Sequence, residues 1–223
     1  LRSSLRTLQQ GVRLESCGKD VISTGTPGLD SILPDQGLQR GTLSEWIAAE
    51  PGSGVASLAV RVAGQAQRDG PLILVDTHRH FYTPAFIAAG LQAGEVILVR
   101  PTSRAHELWT IEQSLKCSGI GAVFCTIDYL KTKEFRRLQL AAESGTAIGL
   151  LLRPATASRQ SGWADVRLLV SPRASPPQSL CRRVNVRCLY ARGGLTDRTV
   201  ELDICDETGA VCLAAGFSDS AVE

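Results

Sequence analysis

Methionine is absent, aromatic residues make up only 5% of the chain, and no apolar run approaches the 18 or so residues of a membrane span. The first absence leaves Leu1 as the opening residue, as a non-standard start codon or a trimmed N-terminus would. The second excludes an aromatic-rich core. With 43% hydrophobic residues among 223, aliphatic side chains and alanine must pack one α/β domain with small appendages. The third, with no secretory leader, points to a soluble cytoplasmic protein without a membrane partner. Strong charge of one sign is missing too. A net charge of +2 does not mark a dedicated nucleic-acid domain, so any such contact falls to local basic clusters. The seven cysteines are odd in number and form no CxxC pair. Scattered in this way, some in apolar runs such as Val123-Phe124-Cys125, they read as small buried hydrophobes in a reducing compartment. His78-Arg79-His80 has no third ligand at a zinc spacing, and no metal site is expected.

What is present is an alternation of strands and helices. Residues 1–20 read as a polar, partly helical lead-in. Residues 42–47 form a strand that runs into the turn Glu50-Pro51-Gly52-Ser53-Gly54. Val55, Leu58, Ala59, Val62, Ala63 and Ala66 then make one buried helical stripe. Asp69-Gly70-Pro71 stops it, and Leu72-Ile73-Leu74-Val75 reads as a strand covered on both faces. A short helix over 84–89, a strand at Val96–Val99, a helix with Leu108, Ile111 and Leu115 inward, and a strand over 122–127 follow. A helix over 134–144 and a strand over 147–152 complete the alternation. Such βαβ units predict a parallel sheet whose ligand edge lies at the carboxyl ends of the strands. Beyond Pro154 the pattern changes to a polar stretch, a turn over 171–179 with three prolines, and alternating strands over 184–189, 200–204 and Val211–Leu213. The expected fold class is therefore α/β: a mostly parallel central sheet flanked by helices over residues 21–170, with antiparallel strands added by residues 171–223.

The turn after the first strand stands where a phosphate-binding loop, GxxxxGK[ST], would stand. That loop cradles phosphate on backbone N–H groups, neutralises it with lysine and holds Mg²⁺ through a hydroxyl. Here the first glycine position is Ala49, the last is Gly54, the lysine position is Val55 and the hydroxyl position is Ala56. Ser57, one residue late, is turned about 100° away. The turn chemistry is kept and the charge chemistry is gone, so no catalytic residue is assigned.

The flanking segment Ile22-Ser23-Thr24-Gly25-Thr26-Pro27-Gly28-Leu29-Asp30, with Gly37-Leu38 and Arg40-Gly41, resembles the approach to the phosphate loop in RecA-family proteins. The resemblance extends through Leu74-Val75-Asp76, Arg100-Pro101 and the strand at 122–126, over about residues 20–153. It departs where the family carries a catalytic glutamate (His78 here) and an acidic residue at the tip of the third strand (Thr126 here, with Asp128 two positions, roughly 6.6 Å, further on). A RecA-like core with such a loop, together with Tyr82-Thr83-Pro84-Ala85, Arg136-Arg137-Leu138-Gln139-Leu140-Ala141-Ala142-Glu143 and Leu152-Arg153-Pro154, is similar to the ImuA family of SOS-associated accessory proteins of translesion synthesis. The resemblance implies binding to an inactive Y-family polymerase homologue, with an error-prone C-family polymerase doing the synthesis. RecA, single-stranded DNA and self-association are further partners it allows. It implies no resident cofactor; ATP with Mg²⁺ would be needed only by a residual ATPase or recombination mediator using Asp76 or Asp128. An SOS-linked cell-division inhibitor is a third reading.

If hydrolysis is lost, surfaces carry the function. Lys131, Lys133, Arg136 and Arg137 form the densest basic cluster of the first 150 residues, suited to DNA phosphate or an acidic partner. Arg153 closes a strand at the ligand edge, and Trp163 follows the polar Arg159-Gln160-Ser161-Gly162 as a candidate contact residue. Trp46 is expected in the core and Trp109 as a helix anchor. Arg183 and Arg187 should share one strand face with Asn185.

Overall fold

The computed structural model describes residues 21–175, 179–194, 196–205 and 207–214. The expected lead-in over 1–20 and the centre of the proline turn lie outside these residues. Among the described residues nine strands form one sheet: β3 (Leu43–Ala48), β4 (Leu72–Val75), β5 (Val96–Val99), β6 (Ala122–Thr126), β7 (Ile148–Arg153), β8 (Val166–Pro172), β9 (Cys181–Ala191), β10 (Thr199–Cys205) and β11 (Val211–Leu213). Their order across the sheet is β11-β10-β9-β8-β3-β7-β6-β4-β5. From β8 across to β5 all neighbours are parallel, and β9, β10 and β11 add on antiparallel. A separate antiparallel ribbon pairs β1 (Val21–Ile22) with β2 (Leu38–Gln39). The α/β fold with a mostly parallel sheet and antiparallel C-terminal strands is thus as the alternation predicts.

Burial follows the helical periodicity. On one face, α2 (Val55–Ala66) places Leu58, Ala59, Val62, Ala63 and Ala66 against Trp46, Leu72, Leu74, Phe124 and Leu150. Leu29 of α1 (Pro27–Asp30) and Phe86 of α3 (Thr83–Ala88) join the same cluster. On the other face, α4 (Arg104–Lys116) and α5 (Thr132–Ser144) set Ile111, Leu115, Phe135 and Leu138 over Leu43, Ile73, Val75 and Leu151. Past β3 on this second face a short 3-10 helix, Ala155–Arg159, accepts a hydrogen bond from Arg167 of β8 (2.7 Å), and Arg187 and Glu201 stand exposed further out.

Two corrections belong here. Strand β8 occupies residues that the sequence reading left unassigned or gave to a turn, because its buried residues Val166, Leu168 and Val170 alternate with Arg167 and Ser171 just before the prolines. Trp109 does not anchor its helix; it is 61% exposed, since Leu108, Ile111 and Leu115 already fill the inward stripe.

Candidate nucleotide loop and partner surface

Strand β3 delivers the chain into the loop, and its pairing continues past the strand end through a bond from Ala49 N to Val170 O (2.9 Å). Ser53 N then closes a turn on Glu50 O at 3.3 Å. Gly52 and Gly54 both adopt the left-handed conformation, with φ of 79° and 80°, which glycine enters without a Cβ penalty. Gly54 caps α2, whose first backbone bond runs from Leu58 N to Gly54 O (3.2 Å). Glu50, Pro51 and Gly52 are exposed, whereas Ser53 and Gly54 are buried. The Ser53 hydroxyl has no hydrogen-bond partner among the described residues.

The C-terminal strands roof this loop. A Cβ on Gly54 would lie 2.9 Å from Ile204 Cδ1 and 3.2 Å from Val184 Cγ1. Arg182 of β9 donates to Gly52 O at 3.3 Å. The turn between β3 and α2 therefore has left-handed glycines at Gly52 and Gly54, with Ile204, Val184 and the Arg182 guanidinium over Gly54. Val55 and Ala56, where cation and hydroxyl would stand, offer neither charge nor a ligand for Mg²⁺. The residues present do not fit a bound Mg–ATP in the manner of an intact loop.

Asp76 is buried at the end of β4, where Oδ1 accepts from His80 N (2.8 Å) and Oδ2 lies 3.6 Å from Arg100 Nε. Asp128 is exposed and lines a cavity of about 310 Å³ with Thr77, His78, Thr126 and Glu107. Strand β6, which ends beside Asp128, is two positions from β3 in the sheet, a lateral separation of roughly 10 Å. Glu107 was not singled out by sequence reasoning. It is buried, and accepts from Thr77 Oγ1 (2.7 Å) and Arg104 Nη1 (2.5 Å). Its only sequence signal is the i, i+3 spacing to Arg104.

The basic cluster is partly assembled and partly dispersed. Lys131 and Lys133 are exposed at the start of α5, where Lys131 N donates to Glu134 Oε2 (3.0 Å). Arg136 stacks on Trp163, with the guanidinium carbon 4.9 Å from the ring centroid, and also bonds Gln139. Trp163 itself is 44% exposed, so the two candidates share one surface. Arg137 turns away, to Glu112 of α4, which also pairs with Lys116 (2.8 Å).

Arg153 is buried, contrary to the exposed edge position expected from the sequence. Its side chain is only 1% exposed, and Nη1 lies 2.6 Å from Glu45 Oε1. Arg167 Nε takes the other Glu45 oxygen at 2.5 Å, and Gln160 accepts from Arg153 Nη2 at 3.1 Å. Burial pulls the Arg153 guanidinium below its ordinary pKa, and Glu45 opposes that shift. The residue closes the sheet from inside and is not a surface contact. Arg183 and Arg187 do lie on one strand face with Asn185, bound to Asp203 (2.8 Å) and Asp197 (2.8 Å) respectively.

Sheet order, helix layers and the glycine turn between β3 and α2 define a RecA-like α/β fold. The solved structure of the RadB recombinase superposes with a TM-score of 0.67, covering 87% of this chain and all of that one at 16% identity. By sequence, the chain is 26% identical over 105 residues to Protein RecA of Rhodopirellula baltica, 47% of this chain and 28% of that protein. It is 28% identical over 103 residues to Protein RecA of Chlorobium chlorochromatii, 46% of this chain and 29% of that protein. It is also 27% identical over 96 residues to Cell division inhibitor SulA of Photorhabdus laumondii, 43% of this chain and 54% of that protein. The chain thus spans between 28% and 54% of the length of these relatives. No protein-family model matches it.

Proposed function

We propose that this chain is a non-hydrolysing accessory protein of SOS-induced, error-prone translesion synthesis, of the ImuA kind. It acts by binding proteins and not by turning over ATP. One observation carries the reading: the loop between β3 and α2 keeps left-handed glycines at Gly52 and Gly54 and is covered at Gly54 by Val184 and Ile204, yet has Val55 and Ala56 where the cation and the hydroxyl would stand. A phosphate site without the lysine and hydroxyl of the intact motif loses contacts of about 1.5–3 kcal/mol each. Relatives named RecA and SulA support a setting in DNA repair and the SOS response.

In this reading an inactive Y-family polymerase homologue docks on the chain, and an error-prone C-family polymerase does the synthesis. The Arg136–Trp163 pair, with Lys131 and Lys133 beside it, is the favoured contact surface, because an aromatic ring under a guanidinium offers apolar area and charge together. The same surface suits single-stranded DNA through stacking and phosphate contacts. Co-purification of the full chain with the Y-family homologue, with and without Trp163→Ala, tests this. Capture that depends on Trp163 is expected; failure of the intact chain to capture the homologue contradicts the reading. A second reading, an SOS-linked division inhibitor, rests on the SulA likeness, and capture of a cell-division protein by the intact chain would favour it.

A further inference from the structure

The roof over the loop ends in a pair of thiols. Strands β9 and β10 run antiparallel with Cys181 opposite Cys205, next to the register pair Arg182–Ile204 that touches the loop. Backbone bonds define the type of pairing. Cys205 N donates to Ala210 O and Cys205 O accepts from Gly209 N, so both groups point away from β9. Arg183, two residues along β9 from Cys181, likewise spends its N–H on Ser175 Oγ and its carbonyl on Arg173 N. Cys181 and Cys205 therefore form a non-hydrogen-bonded pair. In such pairs opposite Cα atoms lie about 4.5 Å apart, within the roughly 4.4–6.8 Å that a disulfide spans.

The surroundings distinguish the two sulfurs. Both cysteines are partly exposed, unlike Cys125 and Cys188, which are buried. Cys205 also borders a cavity of about 240 Å³ with Ser57, Arg182 and Thr208. Hydrogen bonds from the Thr208 hydroxyl and from the N–H groups of Thr208 and Glu207 hold the Cys205 thiol below its ordinary pKa. Desolvation, and then the charge of Cys205, push the Cys181 thiol up. One thiol is poised to attack and its neighbour to resolve.

We propose that Cys181 and Cys205 are a thiol-oxidation site at which a hydroperoxide forms a cross-strand disulfide that locks the β9–β10 roof over the loop. The Cys205 thiolate attacks the distal peroxide oxygen; the O–O bond breaks, the other oxygen leaves as water or alcohol after taking a proton, and Cys205 becomes a sulfenic acid. Cys181 then attacks the Cys205 sulfur, the S–S bond forms, the S–O bond breaks, and hydroxide leaves with the Cys181 proton as water. In total the two thiols lose two protons and two electrons, and the peroxide is reduced to water, or alcohol and water. Since Arg182 and Ile204 sit one register step away, the crosslink restrains the residues that cover Gly52 and Gly54.

The test treats the reduced full chain with hydrogen peroxide, maps disulfides in a non-reduced digest by mass spectrometry, and follows hydrogen exchange over residues 50–57. The expected result is a Cys181–Cys205 linked peptide and slower exchange in the loop. The Cys181→Ser variant should accumulate a dione-trappable sulfenic acid at Cys205, and Cys205→Ser should slow oxidation at residue 181 roughly tenfold or more. Oxidation confined to the exposed Cys117 or Cys212, with no linked peptide, would overturn the site. A linked peptide that leaves loop exchange unchanged would overturn the lock.

Discussion

Arg153 Nη1 and Glu45 Oε1 meet 2.6 Å apart inside the sheet, although 108 residues separate them in the chain. With Arg167 on the second oxygen, Glu45 is clamped between two cations, and Arg153 Nε is buried without a hydrogen bond among the described residues. Removing Arg153 leaves Glu45 Oε1 buried without its partner, while Arg167 still holds the other oxygen. Arg153→Ala is expected to cost about 1–3 kcal/mol, read as a fall in the urea midpoint. Replacing Glu45, Arg153 and Arg167 together with apolar residues of similar volume should recover most of that loss. An Arg153→Ala variant as stable as the parent, but defective in partner binding, would return Arg153 to the surface role expected from sequence.

Gly54 is a second point of rigidity. Ala at this position must accept φ near 80° and a contact at 2.9 Å with Ile204. Gly54→Ala should lose roughly 1–3 kcal/mol by thermal or chemical denaturation. Adding Ile204→Ala removes the contact but not the backbone strain, so the double variant should lose less than the sum of the two single losses.

Stability should respond to pH with opposite signs at two carboxylates. Burial raises Asp165 above the ordinary carboxylate range, against the Leu43 N–H and Arg192, which pull it down. Between the ordinary and the raised value the folded chain binds more proton than the unfolded chain, so stability falls as pH rises through that window. The hydrogen bond from Lys116, opposed by partial burial and aided by Arg137, lowers Glu112; its contribution is present above the ordinary value and is lost as pH falls through the lowered one. Urea midpoints measured across acidic pH should show Asp165→Asn removing the first slope and Glu112→Gln the second. An unchanged slope in either variant contradicts the assignment.

At the Arg136–Trp163 surface the expectation is the reverse of that for the core. Trp163→Ala should change folding stability by about 1 kcal/mol or less, because the stack is solvent-exposed. The same change should weaken capture of the Y-family homologue roughly tenfold or more. Titration of the labelled homologue against both forms, with their denaturation midpoints, separates the two effects.

Much of the parallel half was legible because its strands are short apolar runs between helices of clear periodicity. Val96–Val99 and Val211–Leu213 fall where the pattern places them. Strand β8 was missed because Arg167 and Ser171 alternate with its buried residues and break up the apolar run, and because the nearby prolines read as a turn. Arg153 was misread for a different reason. Alternation sets it on the same strand face as the buried Leu151, but the carboxylate that makes burial tolerable lies on a neighbouring strand far away in sequence. The loop's missing lysine and hydroxyl were visible directly, whereas its roof depends on β9 and β10 folding back across the sheet. Nothing in local sequence signals that return.

The most direct measurement is calorimetric titration of the full chain with ATP and Mg²⁺, paired with a turnover assay with and without single-stranded DNA. Val55 and Ala56 in place of the cation and the hydroxyl, with Val184 and Ile204 covering Gly54, predict no binding heat at millimolar ATP and no hydrolysis. Tight binding, or turnover stimulated by DNA, would contradict the account and direct attention to Asp128 and Glu107 as a rebuilt site.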